Sequence, residues 1–157
     1  MRAVLDASAI LEGFEPVPPD EFVVPPSVVE EISKGRAGRR MQTMVDAGLV
    51  VRAPGEAARE LVTSQARTMG EDSRLSGTDV DVLALSLELG LPCVTDDYSL
   101  QNVAARLGVE ARPFKEKGIK EVWEWQSRCT GCGRTFEEKV GAECPVCGRP
   151  LRSTPRR

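Results

Sequence analysis

Two sets of side chains in this sequence have types and spacings that could do chemistry. The first set is acidic. Asp6 closes the short β-like run Arg2 to Leu5, Asp96 and Asp97 close the run Leu91 to Thr95, Asp79 opens an apolar helix, and Glu31 lies in a helix behind a second β-like run. Carboxylates gathered in one place repel one another and raise their own pKa values unless a cation neutralises them. Ligand sets made only of oxygen select Mg²⁺ or Mn²⁺ over softer metals. Each acid also has a plainer reading. Asp6, Asp79, Asp96 and Asp97 sit where an acid caps a helix or meets its positive end, worth about 1 kcal/mol apiece. Glu31, beside Glu30, suits a solvated helix face. Asp81, two residues from Asp79 and so about 200° round the helix, is set aside as a bystander.

The second set is Cys129-Thr130-Gly131-Cys132-Gly133 and Cys144-Pro145-Val146-Cys147-Gly148, two CxxCG knuckles separated by 11 residues. Four thiolates in two such pairs suit tetrahedral zinc, and the glycine behind each pair lets backbone amides curl towards sulfur. Two disulfides are the rival reading, disfavoured in a reducing compartment. With all four positions filled by protein the zinc site is structural. Cys93, in an apolar strand, reads as a small buried hydrophobe. The chain has no histidine, which removes Ser-His-Asp and Cys-His nucleophile systems, histidine metal ligands and histidine acid–base pairs.

The elements that must position these groups alternate. Strand-like runs at 2–5, 21–24, 49–51, 91–95 and 109–114 are separated by helical stretches at about 7–13, 26–34, 36–47, 55–69, 77–89 and 98–107. Ser76 to Asp79 forms a capping-box pattern, and Val80, Leu83, Ala84 and Leu87 follow on one helical face. Such alternation predicts an α/β fold with a parallel sheet and helices on both faces. In that arrangement ligands bind beyond the carboxyl ends of the strands, where these acids would converge. Residues 1–112 are expected to form this domain, 113–126 a polar connecting segment, and 127–157 the zinc ribbon with a basic tail.

Charge follows the same division. Residues 1–112 carry 11 Lys+Arg against 18 Asp+Glu, net −7, and residues 113–157 carry 10 against 6, net +4. Arg128, Arg134, Lys139, Arg149, Arg152, Arg156 and Arg157 make the ribbon basic, a surface suited to phosphate. Trp123 and Trp125 could stack on bases, but packing of the ribbon against the first domain is the preferred role. The apolar fraction of 41% and charged fraction of 29% are those of a soluble globular protein. No run reaches the roughly 20 apolar residues of a membrane span, and the N-terminus meets an acid too early for a signal peptide. A cytoplasmic protein is expected.

Leu5-Asp6-Ala7-Ser8, Val28-Val29-Glu30-Glu31-Ile32, Leu75-Ser76-Gly77-Thr78-Asp79 and Val94-Thr95-Asp96-Asp97-Tyr98, in that order, resemble the PIN-domain nucleases over the first 112 residues. The resemblance implies that Asp6, Glu31, Asp79 and one or both of Asp96 and Asp97 bind the catalytic metal, with Ser8 and Thr95 supporting the site. Glu31 is preferred to Glu30 because the family's acid directly precedes Ile or Leu. It further implies metal-dependent hydrolysis of RNA, with divalent cations activating water and stabilising phosphate charge. The products would carry 5′-phosphate and 3′-hydroxyl ends. With Glu121-Val122-Trp123-Glu124-Trp125 and the CxxCG ribbon added, the whole chain is similar to the archaeal Nob-type endonucleases of small-subunit ribosome assembly. That likeness implies a substrate in precursor rRNA, cut at the 3′ end of the small-subunit RNA inside a pre-ribosomal particle. Two alternatives stand beside it. One is a ribonuclease of the toxin–antitoxin type, against which the ribbon is expected to count. The other is a non-catalytic RNA-binding assembly adaptor, against which the full set of acids counts.

Overall fold

The protein is described here by a computed structural model covering residues 1–115, 124–137 and 141–156. Five short strands, β1 (Ala3–Leu5), β2 (Phe22–Val24), β3 (Val50–Val51), β4 (Cys93–Val94) and β5 (Ala111–Arg112), form one sheet in the order β3-β2-β1-β4-β5. Every neighbouring pair is parallel. β1, β2 and β4 are buried throughout, as expected of strands covered on both faces. The runs expected at 91–95 and 109–114 shorten to two residues each. Pro92 has no N–H to give to a ladder, so the central strand β4 begins just after it.

The helices are α1 (Ala7–Leu11), α2 (Pro26–Glu31), α3 (Gly35–Asp46), α4 (Glu56–Met69), α5 (Gly77–Leu89) and α6 (Tyr98–Leu107), with a short 3-10 turn at Pro19–Glu21. Gly35, expected to stop α2, instead opens α3, and α2 ends at Glu31. α5 departs from the single apolar face that its sequence suggests. Val82, Leu83, Ala84, Leu85 and Ser86 are consecutive and all buried, because α5 runs between α4, α2, α6 and the sheet. Its Ser76–Asp79 capping box forms as expected, and Gly90 ends it in the left-handed conformation.

A second, antiparallel sheet of β6 (Glu124–Cys129), β7 (Thr135–Phe136) and β8 (Leu151–Arg156), in the order β7-β6-β8, carries the cysteines. β6 starts at Glu124, within the span 113–126 expected to be connecting segment. The alternation Trp125, Ser127, Cys129 against Glu124, Gln126, Arg128 is already that of a strand. Trp123, Lys139 and Arg157 lie outside the described residues, as does the connecting segment from 116 to 123.

The ribbon is docked on the first domain through Trp125. Its indole Nε1 donates to Glu71 Oε1 at 2.7 Å, and Arg74 lies over its ring at 4.0 Å. Glu71, buried just beyond α4, also accepts Asn102 Nδ2 at 2.8 Å. Gly70 makes the close approach possible. It adopts φ +72°, and a Cβ there would stand 2.6 Å from the Trp125 carbonyl oxygen. Arg106 of α6 pairs with Glu124. Packing is therefore the observed role of Trp125. Among the described residues no helix is long and apolar enough to cross a membrane.

Candidate functional site

β1 and β4 are neighbours, so Asp6 and the Thr95–Asp97 segment leave the same edge of the sheet side by side, with Asp6 N bonded to the Val94 carbonyl. Asp6 is 3% exposed. Its Oδ1 accepts Ala7 N at 2.8 Å, and its Oδ2 accepts both Ser8 Oγ and Thr95 Oγ1, each at 2.8 Å. A carboxylate has about four lone-pair sites, and three are thus committed to holding this one in place. The two hydroxyls also receive the backbone that follows β4: Asp96 N donates to Ser8 Oγ at 3.2 Å and Asp97 N to Thr95 Oγ1 at 3.1 Å. Gln101 Nε2 donates to the Thr95 carbonyl and pins the turn from below.

Asp97 caps α6 by accepting Leu100 N at 3.0 Å, and Asp79 closes the α5 capping box by accepting Ser76 N at 2.8 Å. The capping role and the clustered role are therefore the same placement. The acids at the N-termini of α1, α5 and α6 lie near enough that Asp97 acts on Asp6, and Asp6 and Asp97 act on Asp79, through their charges. Burial raises the Asp6 carboxyl above its ordinary pKa against the pull of its hydrogen bonds, and the Asp97 charge adds to the rise. Burial likewise pushes Asp79 up to about 6, helped by repulsion from Asp6 and Asp97.

Asp96 and Glu31 have different surroundings. Asp96 turns its carboxylate to the end of β5, where Oδ1 accepts Phe114 N at 2.7 Å and Lys115 N at 3.0 Å. Glu31, the last residue of α2, is exposed; the like charge acting on Asp6 comes from Asp97, and that on Asp79 from Asp6 and Asp97. Its helix is tied to α5 four residues earlier by Ser27 Oγ, which donates to Asp81 Oδ2 at 2.7 Å. Asp81 also pairs with Arg59 at 2.8 Å, on another side of α5 from Asp79. A cleft of about 330 Å³ opens beside Asp97, lined by Ser8, Leu11, Glu12, Asp96, Asp97 and Lys115. Glu12 and Lys115 went unnoticed in the sequence because the first follows an ordinary helix end and the second falls in a charged stretch that reads as a linker.

The four ribbon sulfurs lie within 4.8 Å of one another, with Cys129 and Cys147 3.2 Å apart and Cys132 and Cys144 3.8 Å apart. A tetrahedron with metal–sulfur bonds of about 2.3 Å has edges of about 3.8 Å, so the donors fit a closed four-thiolate site. Gly131 N and Cys132 N donate to Cys129 Sγ, and Val146 N donates to Cys144 Sγ. Although burial opposes it, donation from the Cys132 amide, the Cys147 sulfur and the Gly131 amide brings the Cys129 thiol down to about 6. All five cysteines are free thiols, and burial pushes Cys93 the other way, to about 12. Of the ribbon's basic residues, Arg128, Arg134, Arg149 and Arg152 are exposed, whereas Arg156 is paired with Glu124 and Glu137.

A parallel α/β sheet with helix-capping acids at its carboxyl edge, joined to a four-cysteine ribbon, is the build of a nuclease-type domain with an appendage able to hold a metal. A profile of the PIN domain of ribonuclease matches residues 3–89. Endoribonuclease Nob1 of Pyrococcus abyssi is 38% identical over 100% of this chain and 96% of its own. Endoribonuclease Nob1 of Methanothermobacter thermautotrophicus is 32% identical over 94% of this chain and 90% of its own. The chain belongs to the PIN-domain ribonucleases, and within them to the archaeal Nob1 endoribonuclease family. A relative named Ribonuclease VapC1, from Thermoplasma acidophilum, is also 36% identical over 97% of this chain and 77% of its own. That alignment includes the ribbon, so the ribbon does not by itself separate the two names, contrary to the expectation from sequence.

Proposed function

We propose that this chain is a divalent-metal-dependent endoribonuclease that processes the 3′ end of small-subunit precursor rRNA during ribosome assembly in the cytoplasm. The observation that carries the chemistry is the hydrogen-bonded knot of Asp6, Ser8, Thr95 and the Asp97 backbone at the carboxyl edge of the sheet, with Asp79 close enough to feel the charge of Asp6 and Asp97; these oxygens suit Mg²⁺ or Mn²⁺. Support for the substrate comes from the full-length likeness to proteins named Endoribonuclease Nob1.

Asp6, Asp79 and Asp97 would hold one or two such cations, with Glu31 as a further ligand contributed from α2. When bound, the cation supplies activation of water and neutralises charge developing on the phosphate. The chain's own part is placement. Ser8 and Thr95 fix the Asp6 rotamer, so that little reorganisation remains when substrate arrives. Asp97, rather than Asp96, belongs to the ligand set, because Asp96 holds backbone amides. Cys129, Cys132, Cys144 and Cys147 bind one zinc that is structural, and the exposed arginines of the ribbon meet RNA phosphate. On this reading residues 1–112 form the catalytic domain and the ribbon is its RNA handle.

The test is to incubate purified protein with precursor rRNA, with and without Mg²⁺ or Mn²⁺, and to map the product ends. Cation-dependent cleavage at the 3′ end of the small-subunit RNA, leaving 5′-phosphate and 3′-hydroxyl, is the expected result. Indiscriminate cleavage of unrelated RNAs would favour the second reading, a ribonuclease without a ribosomal substrate, which the VapC1 likeness supports. RNA binding with no cleavage under either cation would leave only an adaptor.

A further inference from the structure

We infer that Lys115 is a substrate-binding residue, its ammonium taking a phosphate of the RNA at the mouth of the acid site, with Glu12 as the partner it gives up. The inference rests on the ribonuclease reading and deepens it. RNA must bring phosphates to a place whose side chains are mostly negative. Among the described residues lining the cleft beside Asp97, three are acids and Lys115 is the one cation.

The position is built. Asp96 accepts the consecutive amides of Phe114 and Lys115, Oδ1 taking them at 2.7 and 3.0 Å and Oδ2 the second again at 3.2 Å. The Phe114 ring packs edge-on against Phe14 at 5.4 Å, and Phe14 packs against Phe22 of β2 at 5.6 Å. The backbone that carries Lys115 is thus clamped by a carboxylate adjacent to the candidate ligand Asp97 and by an aromatic ladder rooted in the sheet. This gives Asp96 a positioning role and explains why its carboxylate turns to the end of β5.

The side chain, by contrast, is held loosely. Lys115 Nζ meets Glu12 Oε2 at 2.9 Å, and the two side chains remain 55% and 52% exposed. Exposed pairs of this kind contribute little to stability and are screened by salt. An RNA phosphodiester matches the single charge of such a carboxylate, and RNA brings many of them with a condensed counterion layer to release, so it competes well for the ammonium. An anchored backbone with an exchangeable tip is what a lysine needs in order to reach a phosphate without searching for it.

RNA binding is measured as a salt titration in an Asp6→Asn background, so that the RNA stays intact, and KM and kcat are measured with Asp6 restored. Lys115→Ala should weaken binding about tenfold, lower the slope of log affinity against log salt by about 1, and raise KM with kcat little changed. Lys115→Arg should restore slope and KM. Glu12→Gln should shift KM the opposite way, since it removes the competing carboxylate. Lys115→Met keeps the apolar stem and should behave as Lys115→Ala, separating charge from packing. Unchanged slope and KM in Lys115→Ala, or weakened binding that Lys115→Arg does not rescue, would overturn the assignment. If the wild type binds RNA and cuts none, the ribonuclease reading falls, and with it this one, even should the salt slope respond. If it cuts and the slope does not respond, only Lys115 falls.

Discussion

On the proposed reading the acid site and the cysteine site are both metal-ligand sets, but they stand on opposite foundations. Asp6, Asp79 and Asp97 are held by a core that owes them nothing. Val4, Leu5, Val23, Val82 to Leu85 and Leu100 are all buried, and the acids cap helices that this core packs. In the described ribbon the buried side chains are Cys129 and Cys144 themselves. A domain of this size cannot bury enough apolar surface to hold itself together, so the ligands are its core. In the first site the fold makes the ligands; in the second the ligands make the fold.

The contrast predicts that removing ligands should have opposite structural consequences. Cys129→Ser, or strong chelation, should release zinc and unfold the ribbon, since structural zinc is worth roughly 10–16 kcal/mol in small zinc domains. The nuclease core should survive with its own melting transition. Metal analysis with circular dichroism checks this, and RNA affinity should fall with it, its salt dependence becoming flatter as phosphate contacts are lost. A Cys129→Ser protein that keeps its zinc, or one in which Cys93→Ala loses it, would show the ligand set to be misassigned.

Asp6→Asn should do the reverse, abolishing cleavage by about a thousandfold or more, a loss of roughly 4 kcal/mol in transition-state stabilisation. The melting temperature without added Mg²⁺ or Mn²⁺ should hold or rise, because the amide oxygen still accepts Ala7 N, its NH2 can donate to the Ser8 and Thr95 hydroxyls, and it carries no charge to repel Asp97. Full activity in this variant would remove the acids from the mechanism.

The seam between the two regions should respond more modestly. Trp125→Phe keeps the ring over which Arg74 lies but takes away the N–H that Glu71 accepts, at a cost of about 1–3 kcal/mol for a buried carboxylate losing a donor. Hydrogen exchange should show β6 and the 70–74 turn opening more often while the zinc stays bound. The smallest effect is one of pH. Asp79 is raised to about 6 in the fold from 3.8, so the folded state binds more proton than the unfolded state in that interval. Its contribution should therefore make the protein, without added divalent cation, progressively less stable as pH rises from about 4 to about 6. Asp79→Asn should flatten that slope in urea titrations.

Much of this was readable along the chain. A strand ending in Asp6, a capping box around Asp79 and an Asp-Asp step behind β4 are local patterns, and local sterics and hydrogen bonding determine helix starts without reference to distant residues. The cysteine quartet was readable for the same reason, since knuckle spacing sets the sulfur geometry over a few residues. The sequence also determined that the chemistry has no histidine and that the basic charge lies in the C-terminal third.

Other features depended on distant contacts and were decided only in three dimensions. Asp96 and Asp97 are adjacent in sequence and equivalent by pattern. They part because β5 ends beside one of them and offers it two amides, whereas α6 and Asp6 receive the other. The burial of α5 nearly all round reflects how many elements enclose it, which no single-face periodicity can report. Glu71, in a polar turn that reads as loop, became the buried acceptor for Trp125 from 54 residues away. Lys115, in a stretch that reads as linker, came to face Glu12 across 103 residues. Local sequence specifies where a helix begins; which carboxylate meets a backbone, an indole or another charge depends on long-range packing, and that is set by the whole core at once.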